Sequence, residues 1–436
     1  MPSILHGPQR SRRDVQGVGM TQRGDESGGQ GAPVRFAGSL VPEPDLPAMR
    51  RARLARIRAQ LADQDVAGGV FFDPVNVRYC TDSRNMQIWT LRNPARYVFV
   101  ATDGPMVMFE FAGCHHLLAG LDLIDEVRTA TGWFYFTSGP RMAEKAGRWA
   151  AEIADLVAAH GGGNRRLAVD RLLPEGFAAL AGLGIDVVDG QGAAERARSV
   201  KSPDEILCMR SAIEVCQAGF AAMEAALEPG ITEAALWSKL HETSIALGGE
   251  YIETRLLTSG PRTNPWFQET SLRPIAAGEI VAVDSDLYGT YGCFADMSRS
   301  FLTGDGKAGG DQRTVYGLAL EQIEHNMALL RPGAAFREVA EKSWAMPQPY
   351  LAHRYMSLIH GAGLAGEYPY IPYREDFALK GYDGFIEENM LLCVESFIGH
   401  EAGGEGVKLE QLVQVTASGP VALTTYPFDE RLMGTA

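Results

Sequence analysis

From residue 46 onward the spacing of apolar residues changes period several times. "DLPAMRRARLARIRAQLADQDVAGGVFFD" opens with helical spacing and closes on a short apolar run, which predicts a helix leading into a strand. "RYVFVATDG" and "PMVMFEF" read as two further strands. "RMAEKAGRWAAEIADLVAAHGGG" reads as a long helix stopped by glycines, and "RLAVD" and "IDVVDG" add two more strands. This alternation predicts an α/β domain.

The pattern shifts at "SVKSPDEILCMRSAIEVCQAGFAAMEAAL". Ser202-Pro203-Asp204-Glu205 combines a cap, a first-turn proline and two acids, so a long helix is expected to begin there. Beyond it, helical stretches ("EAALWSKLHETSIALGG", "QRTVYGLALEQIEHNMALL") alternate with pairs of strands, which predicts an α+β domain built on antiparallel sheet. The expected organisation is a tail over 1–45, an α/β domain over 46–197 and an α+β domain over 198–436.

Acidic residues interrupt the apolar strands of the second domain. In "VAVDSDLYGTYGCFADMSRSF", strand alternation would place Asp284 and Asp286 on one face. Asp286 and Asp296 are equidistant from Tyr291, so a symmetric hairpin would set them opposite each other. "LLCVESFIG" and "VKLEQLVQV", separated by "HEAGGEG", would likewise oppose Glu395 and Glu410. Between the two pairs, "LIHGAGLAGEYP" puts His360 among small residues that permit close backbone approach. Buried together, these carboxylates would repel one another without a counter-charge. Two divalent cations would supply it, and an oxygen-rich set with one imidazole suits Fe, Mn, Co or Zn.

Composition narrows the setting. Of 436 residues 46% are hydrophobic, enough for two full cores, and the net charge is −14. A diffuse acidic surface argues against nucleic acid or an anionic membrane as partner. Cys80, Cys114, Cys208, Cys216, Cys293 and Cys393 show neither a CxxC pair nor a disulfide framework, which suits a reducing compartment, and a cytoplasmic protein is expected. No run approaching a membrane span is read, and the arginines of "SRRD" precede no apolar stretch of a secretory signal. Residues 1–45, rich in Gly, Gln, Arg and Ser, are expected to be disordered, and the start lies at Met1 or Met20. "CHH" at 114–116 is read as incidental, because neighbours on a strand diverge, and "GGGN" at 161–164 as a helix stop.

The order Asp, Asp, His, Glu, Glu resembles the pita-bread metalloenzymes: creatinase, prolidase, aminopeptidase P and methionine aminopeptidase. The α/β domain followed by "KSPDEI" resembles the two-domain creatinase and prolidase members. Within that family "NVRYCTDSRNMQIW", "GGEYIETRLLTSGPRTNPWFQE", "HGAGLAGEYP" and "LCVE…VKLE" are most similar to bacterial dimethylsulfoniopropionate lyases of the DddP type. The resemblance implies a pita-bread second domain, a homodimer, a small-molecule substrate, and metal ligands at Asp284, Asp286, Asp296, His360, Glu395 and Glu410.

Three departures separate this chain from the family's peptidases and from its lyases. Peptidases of this fold usually space their first two aspartates eleven apart, and eleven before Asp296 this chain has Ser285, flanked by Asp284 and Asp286 as in the lyases. They also carry histidines where it has Pro265-Trp266 and within "AGEYP", and those histidines serve the tetrahedral step. The lyases carry an Asp, proposed as base, at the position of Gly366. Glu367 or a hydroxide on the metals would then act, or the substrate differs. The expected reaction is elimination of dimethyl sulfide to leave acrylate. Glu367 and Tyr355 are the candidate catalytic residues, and Trp266, Phe267 and Tyr355 the aromatic lining for a sulfonium. The alternatives are a C–N hydrolase, either an Xaa-Pro peptidase or a creatinase-like amidinohydrolase, and a non-catalytic binding module.

Overall fold

The structure, a computed structural model, describes residues 38–434. The described residues divide into two compact units, one spanning 44–198 and the other 199–434 together with 38–43. The expected tail lies mostly outside the described residues, but its boundary is corrected. Ser39 and Leu40 both donate hydrogen bonds to the Glu214 carboxylate. Asp45 then caps the helix Leu46–Asp63, which carries a proline in its first turn.

The first unit is a six-stranded mixed sheet. Its order is Glu126–Thr129, Met106–Glu110, Tyr97–Ala101, Gly68–Phe71, Arg166–Val169 and Asp186–Asp189. The central strands are buried at every position because both faces are covered, which is why they read as largely apolar runs, Glu110 excepted. Trp149, Ile153 and Val157 of the helix Met142–His160 pack on one face against Val70, Tyr97 and Leu167. That helix ends where the Gly161 N–H reaches the Val157 carbonyl, and Gly162 and Gly163 follow at positive φ. "CHH" lies on a 3-10 turn, not a strand, so its reading as incidental rests on the wrong geometry.

The second unit begins with the helix Pro203–Ala226, closed by a capping box between Ser202 and Glu205. By length and composition this helix is apolar enough to cross a bilayer, which the sequence reading missed, yet most of it is buried in the fold. Three antiparallel sheets follow. In one, Ile280–Asp284 runs between Leu257–Ser259 and Ser298–Leu302. In the largest, the order is Gly366–Ile371, Ile359–Ala362, Leu391–Ile398, Val407–Thr416 and Gly419–Ala422. The third, small sheet contains Leu287–Tyr288 and Phe294–Ala295.

The two-residue period of the large sheet sorts its side chains. Leu392, Val394 and Ile398, with Val407, Leu409 and Val413, face a core shared with Tyr316, Ala319 and Ile323 of the helix Gly310–Met327. Cys393, Glu395 and Phe397, with Lys408 and Glu410, therefore point to the opposite face, and there the charged groups gather.

Candidate metal centre

Two hairpins supply most of the cluster. In the first, Ser298 pairs with Asp284 and Ala295 with Leu287, the register of a hairpin centred on Tyr291. Asp286 thus lies opposite Asp296, and its backbone N–H is 3.4 Å from Asp296 Oδ1. Regular alternation does not carry Asp286 to this position, which corrects the expectation. The strand ends at Asp284, and Asp286 adopts a left-handed backbone with φ of 38°, while its carboxylate accepts from the Thr254 hydroxyl. In the second hairpin Glu395 is paired directly with Glu410.

His360, on the strand Ile359–Ala362, faces the same cluster. Its Nε2 is 3.2 Å from Glu395 Oε1 and 3.8 Å from both Asp296 Oδ2 and Glu410 Oε1. Its Nδ1 lies 3.1 Å from the Gly361 carbonyl, so the ring can donate there and keep Nε2 as a ligand. All six expected metal-site residues therefore lie in one region of the second unit.

Lys408, which the sequence reading did not single out, is fully buried among them. Its Nζ is 2.7 Å from Glu395 Oε2, 3.1 Å from Asp284 Oδ2, 3.5 Å from Glu410 Oε2 and 2.6 Å from Ser298 Oγ. Ser298 in turn donates to Asp284 Oδ1. Cys393 was also passed over. Its thiol lies with Asp296, His360 and Glu410 in a group whose ligand atoms are all within 4.8 Å of one another. Parity would have found both, since Lys408 is two residues from Glu410 and Cys393 two from Glu395 on apolar strands.

The electrostatics show what the cluster lacks. Burial, then the other acids, pushes Asp296 well above the usual carboxylate range. Burial and the Asp284 charge push Asp286 up to about 7, and burial with Glu395 pushes Glu410 up to about 8. Burial opposes the Asp284 charge too, but Lys408 and Ser298 hold that group below its ordinary value. Burial also opposes the His360 imidazolium, yet Glu395 and Glu410 raise it to about 9. One ammonium does not balance five carboxylates. Glu410 Oε1 is buried without a hydrogen-bond partner, an orphan acceptor that a cation would satisfy. Hard oxygen donors, an available imidazole nitrogen and this orphan fit a divalent-cation site.

The aromatic candidates lie beside it. The Tyr355 ring is 4.5 Å from Lys408 Nζ, and Phe267 stacks on Tyr355 with centroids 5.2 Å apart. Phe267 is 49% exposed. Trp266 is buried against Phe397, Leu256 and Ala282, with Tyr355 packed on the same cluster. Arg262 is tied to Glu233, as an ion-pairing residue would be.

Glu367, a candidate base, is placed in an ion pair with Lys201. It is buried, its Oε1 lies 2.5 Å from Lys201 Nζ, and its carboxylate packs against Gly363. That carboxylate oxygen is held by the Lys201 ammonium rather than left free. Its neighbour Gly366 is the residue directed at the site. A Cβ there would meet only Phe294 at 3.7 Å and His360 Nδ1 at 3.9 Å.

Residues 207–417 match metallopeptidase family M24. An Xaa-Pro dipeptidase from Bacillus anthracis shares this fold with a TM-score of 0.71, at 19% identity, over 87% of this chain and 99% of that one. Dipeptidase PepE from Mycobacterium ulcerans gives 0.69 at 23% identity, over 89% and 98%. The fold is thus that of the pita-bread metalloenzymes, whose M24 members use divalent metal ions.

Sequence likeness is narrower. The chain is 41% identical over 396 residues to dimethylsulfoniopropionate lyase DddP of Roseovarius nubinhibens, covering 90% of this chain and 89% of that protein. It is 40% identical to the DddP of Roseobacter denitrificans over the same shares. The chain belongs to the DddP family.

Proposed function

We propose that this protein is a metal-dependent carbon–sulfur lyase that converts dimethylsulfoniopropionate to dimethyl sulfide, acrylate and a proton. The observation that carries the reading is the likeness to two such lyases across nine-tenths of both chains. Asp284, Asp286, Asp296, His360, Glu395 and Glu410 would hold two divalent ions (Fe, Mn, Co or Zn), which when bound polarise the substrate carboxylate and acidify the adjacent C–H.

The chain's own residues do the rest. Lys408 holds the outer oxygens of Asp284, Glu395 and Glu410, which leaves Glu410 Oε1 and His360 Nε2 facing inward. The half-exposed Phe267 ring, stacked on Tyr355, offers a π-face to the sulfonium, an attraction worth about 0.5–1 kcal/mol at such a site. With Gly366 lacking a side chain and Glu367 paired to Lys201, Tyr355 is the side chain of this chain we assign to accept the α-proton as the C–S bond breaks, a hydroxide on the bound metals being the alternative. Burial, then Glu395, pushes its phenol far above the ordinary range while Lys408 opposes the rise.

Headspace gas chromatography of metal-loaded protein with dimethylsulfoniopropionate tests the reading. Dimethyl sulfide is expected, and a blank trace from fully loaded protein contradicts it. Gly366 has room for a Cβ at ordinary van der Waals distance, and Gly366→Asp is the companion experiment. If dimethyl sulfide appears only in that variant, the natural substrate is a different one. A second reading, hydrolysis of Xaa-Pro peptides, draws on the M24 match and predicts free proline as product. The homodimer and the cytoplasmic setting belong to the same proposal, and small-angle scattering would check the former.

A further inference from the structure

We infer that Cys393 is itself a metal ligand, giving one end of the centre a thiolate beside His360, Asp296 and Glu410. This rests on reading the cluster as a metal centre and goes beyond the six ligands named for it. Three independent observations converge on the thiol.

The first is register. Cys393 pairs across the sheet with His360 and shares a strand face with Glu395, so its side chain enters the cluster from the same direction as two expected ligands. The second is span. The sulfur, an imidazole nitrogen and two carboxylate oxygens lie within 4.8 Å of one another. Two ligand atoms on opposite sides of one ion, at roughly 2.0 to 2.3 Å each, stand about 4 to 4.6 Å apart, so these four atoms need little movement to share a cation. The third is the unpartnered Glu410 Oε1, fully buried and in the same group, an acceptor already turned toward the space the ion would fill.

The chemistry has a consequence for metal choice. Binding replaces the thiol proton, which leaves to solvent, and forms one metal–sulfur bond without any change of oxidation state. A thiolate favours zinc, cobalt, iron or cadmium over manganese and magnesium, which an all-oxygen site with one imidazole would accept more readily. The other five cysteines are not in this group. The thiol would thus act as a selector for softer metals in an otherwise hard, carboxylate-rich centre.

Cobalt(II) added to the metal-stripped full chain reads this directly. Visible d–d bands report cobalt in a protein site, and an intense near-ultraviolet sulfur-to-cobalt charge-transfer band reports a thiolate ligand. The band is expected in the wild type and in Cys80→Ser, and is expected to vanish in Cys393→Ser while d–d bands persist. Competition should also show Cys393→Ser losing preference for cadmium over manganese by about tenfold or more, since even an outer-sphere partner is worth some 10–100-fold. Should Cys393→Ser fail to fold, the cadmium-113 resonance of loaded wild-type protein gives the same answer, deshielded if sulfur ligates. Bound cobalt without the charge-transfer band, or a band that survives in Cys393→Ser, overturns the thiolate assignment alone. Absence of d–d bands overturns the metal centre itself, and the two failures are distinguishable.

Discussion

In the unit spanning 44–198, Arg96 and Glu110 are both wholly buried and bond each other, with Ser83 and Asn85 taking up further polar atoms and only Arg96 Nη1 left over. In the second unit four buried carboxylates, with half-buried Asp286 beside them, share Lys408 and His360, and an inward oxygen of Glu410 has no hydrogen-bond partner. Both regions bury charge at a cost. The first recovers most of it within the chain, so it specifies structure. The second keeps a surplus of one sign, which a folded protein tolerates when something outside the chain, here cations, completes the balance. Lys201 and Glu367 show that the second unit can also close a pair when no ligand is meant to enter.

That contrast can be broken experimentally. The largest effect is expected from Glu410→Ala, which should lower activity by more than about 100-fold and reduce bound metal, exceeding the usual 10–100-fold of an outer-sphere change. Thermal unfolding of the stripped variant should show no comparable loss, because the side chain removed is one the apo fold strains to accommodate. Arg96→Met should do the reverse. Leaving Glu110 buried and unpaired costs about 3–5 kcal/mol of stability in denaturant titration, with metal content per folded chain unchanged.

Tyr355→Phe sharpens the catalytic side of the comparison. It keeps the ring beside Lys408 and should cut kcat by about 100-fold or more with KM little changed, measured as dimethyl sulfide release. A fall in KM performance alone would mean the phenol only helps to bind. The smallest effect is a pH dependence. Asp286 and Glu410, raised to about 7 and about 8, hold protons more tightly in the stripped fold than when unfolded. Their contribution is present at acid pH and lost as pH rises through those values. The gap between metal-loaded and stripped melting temperatures should therefore widen from about pH 6 to about pH 8, as followed by scanning calorimetry.

Much of this site was legible in the chain. The symmetry of Asp286 and Asp296 about Tyr291 and the opposition of Glu395 to Glu410 follow from strand period and turn placement, and both appear in the register. What stayed hidden depended on the third dimension. Asp286 reaches the cluster through a left-handed backbone that a period-two reading does not encode. Glu367 looked available because its partner, Lys201, lies far back in the sequence at the start of the unit. Lys408 carries no motif of its own, although its place on an apolar strand two residues before Glu410 marks it as inward. The strand Glu126–Thr129 was missed for a simpler reason: it is an exposed edge with charged residues and no apolar run.

The central claim is that the acid surplus of the second unit exists to hold cations. Purified protein should be loaded with cobalt or manganese, dialysed against metal-free buffer, and assayed by inductively coupled plasma mass spectrometry beside an Asp296→Asn/Glu410→Ala double variant. About two ions per wild-type chain, falling to near none in the variant, is the predicted result. Wild-type protein that is folded yet carries no more metal than the dialysate would contradict it.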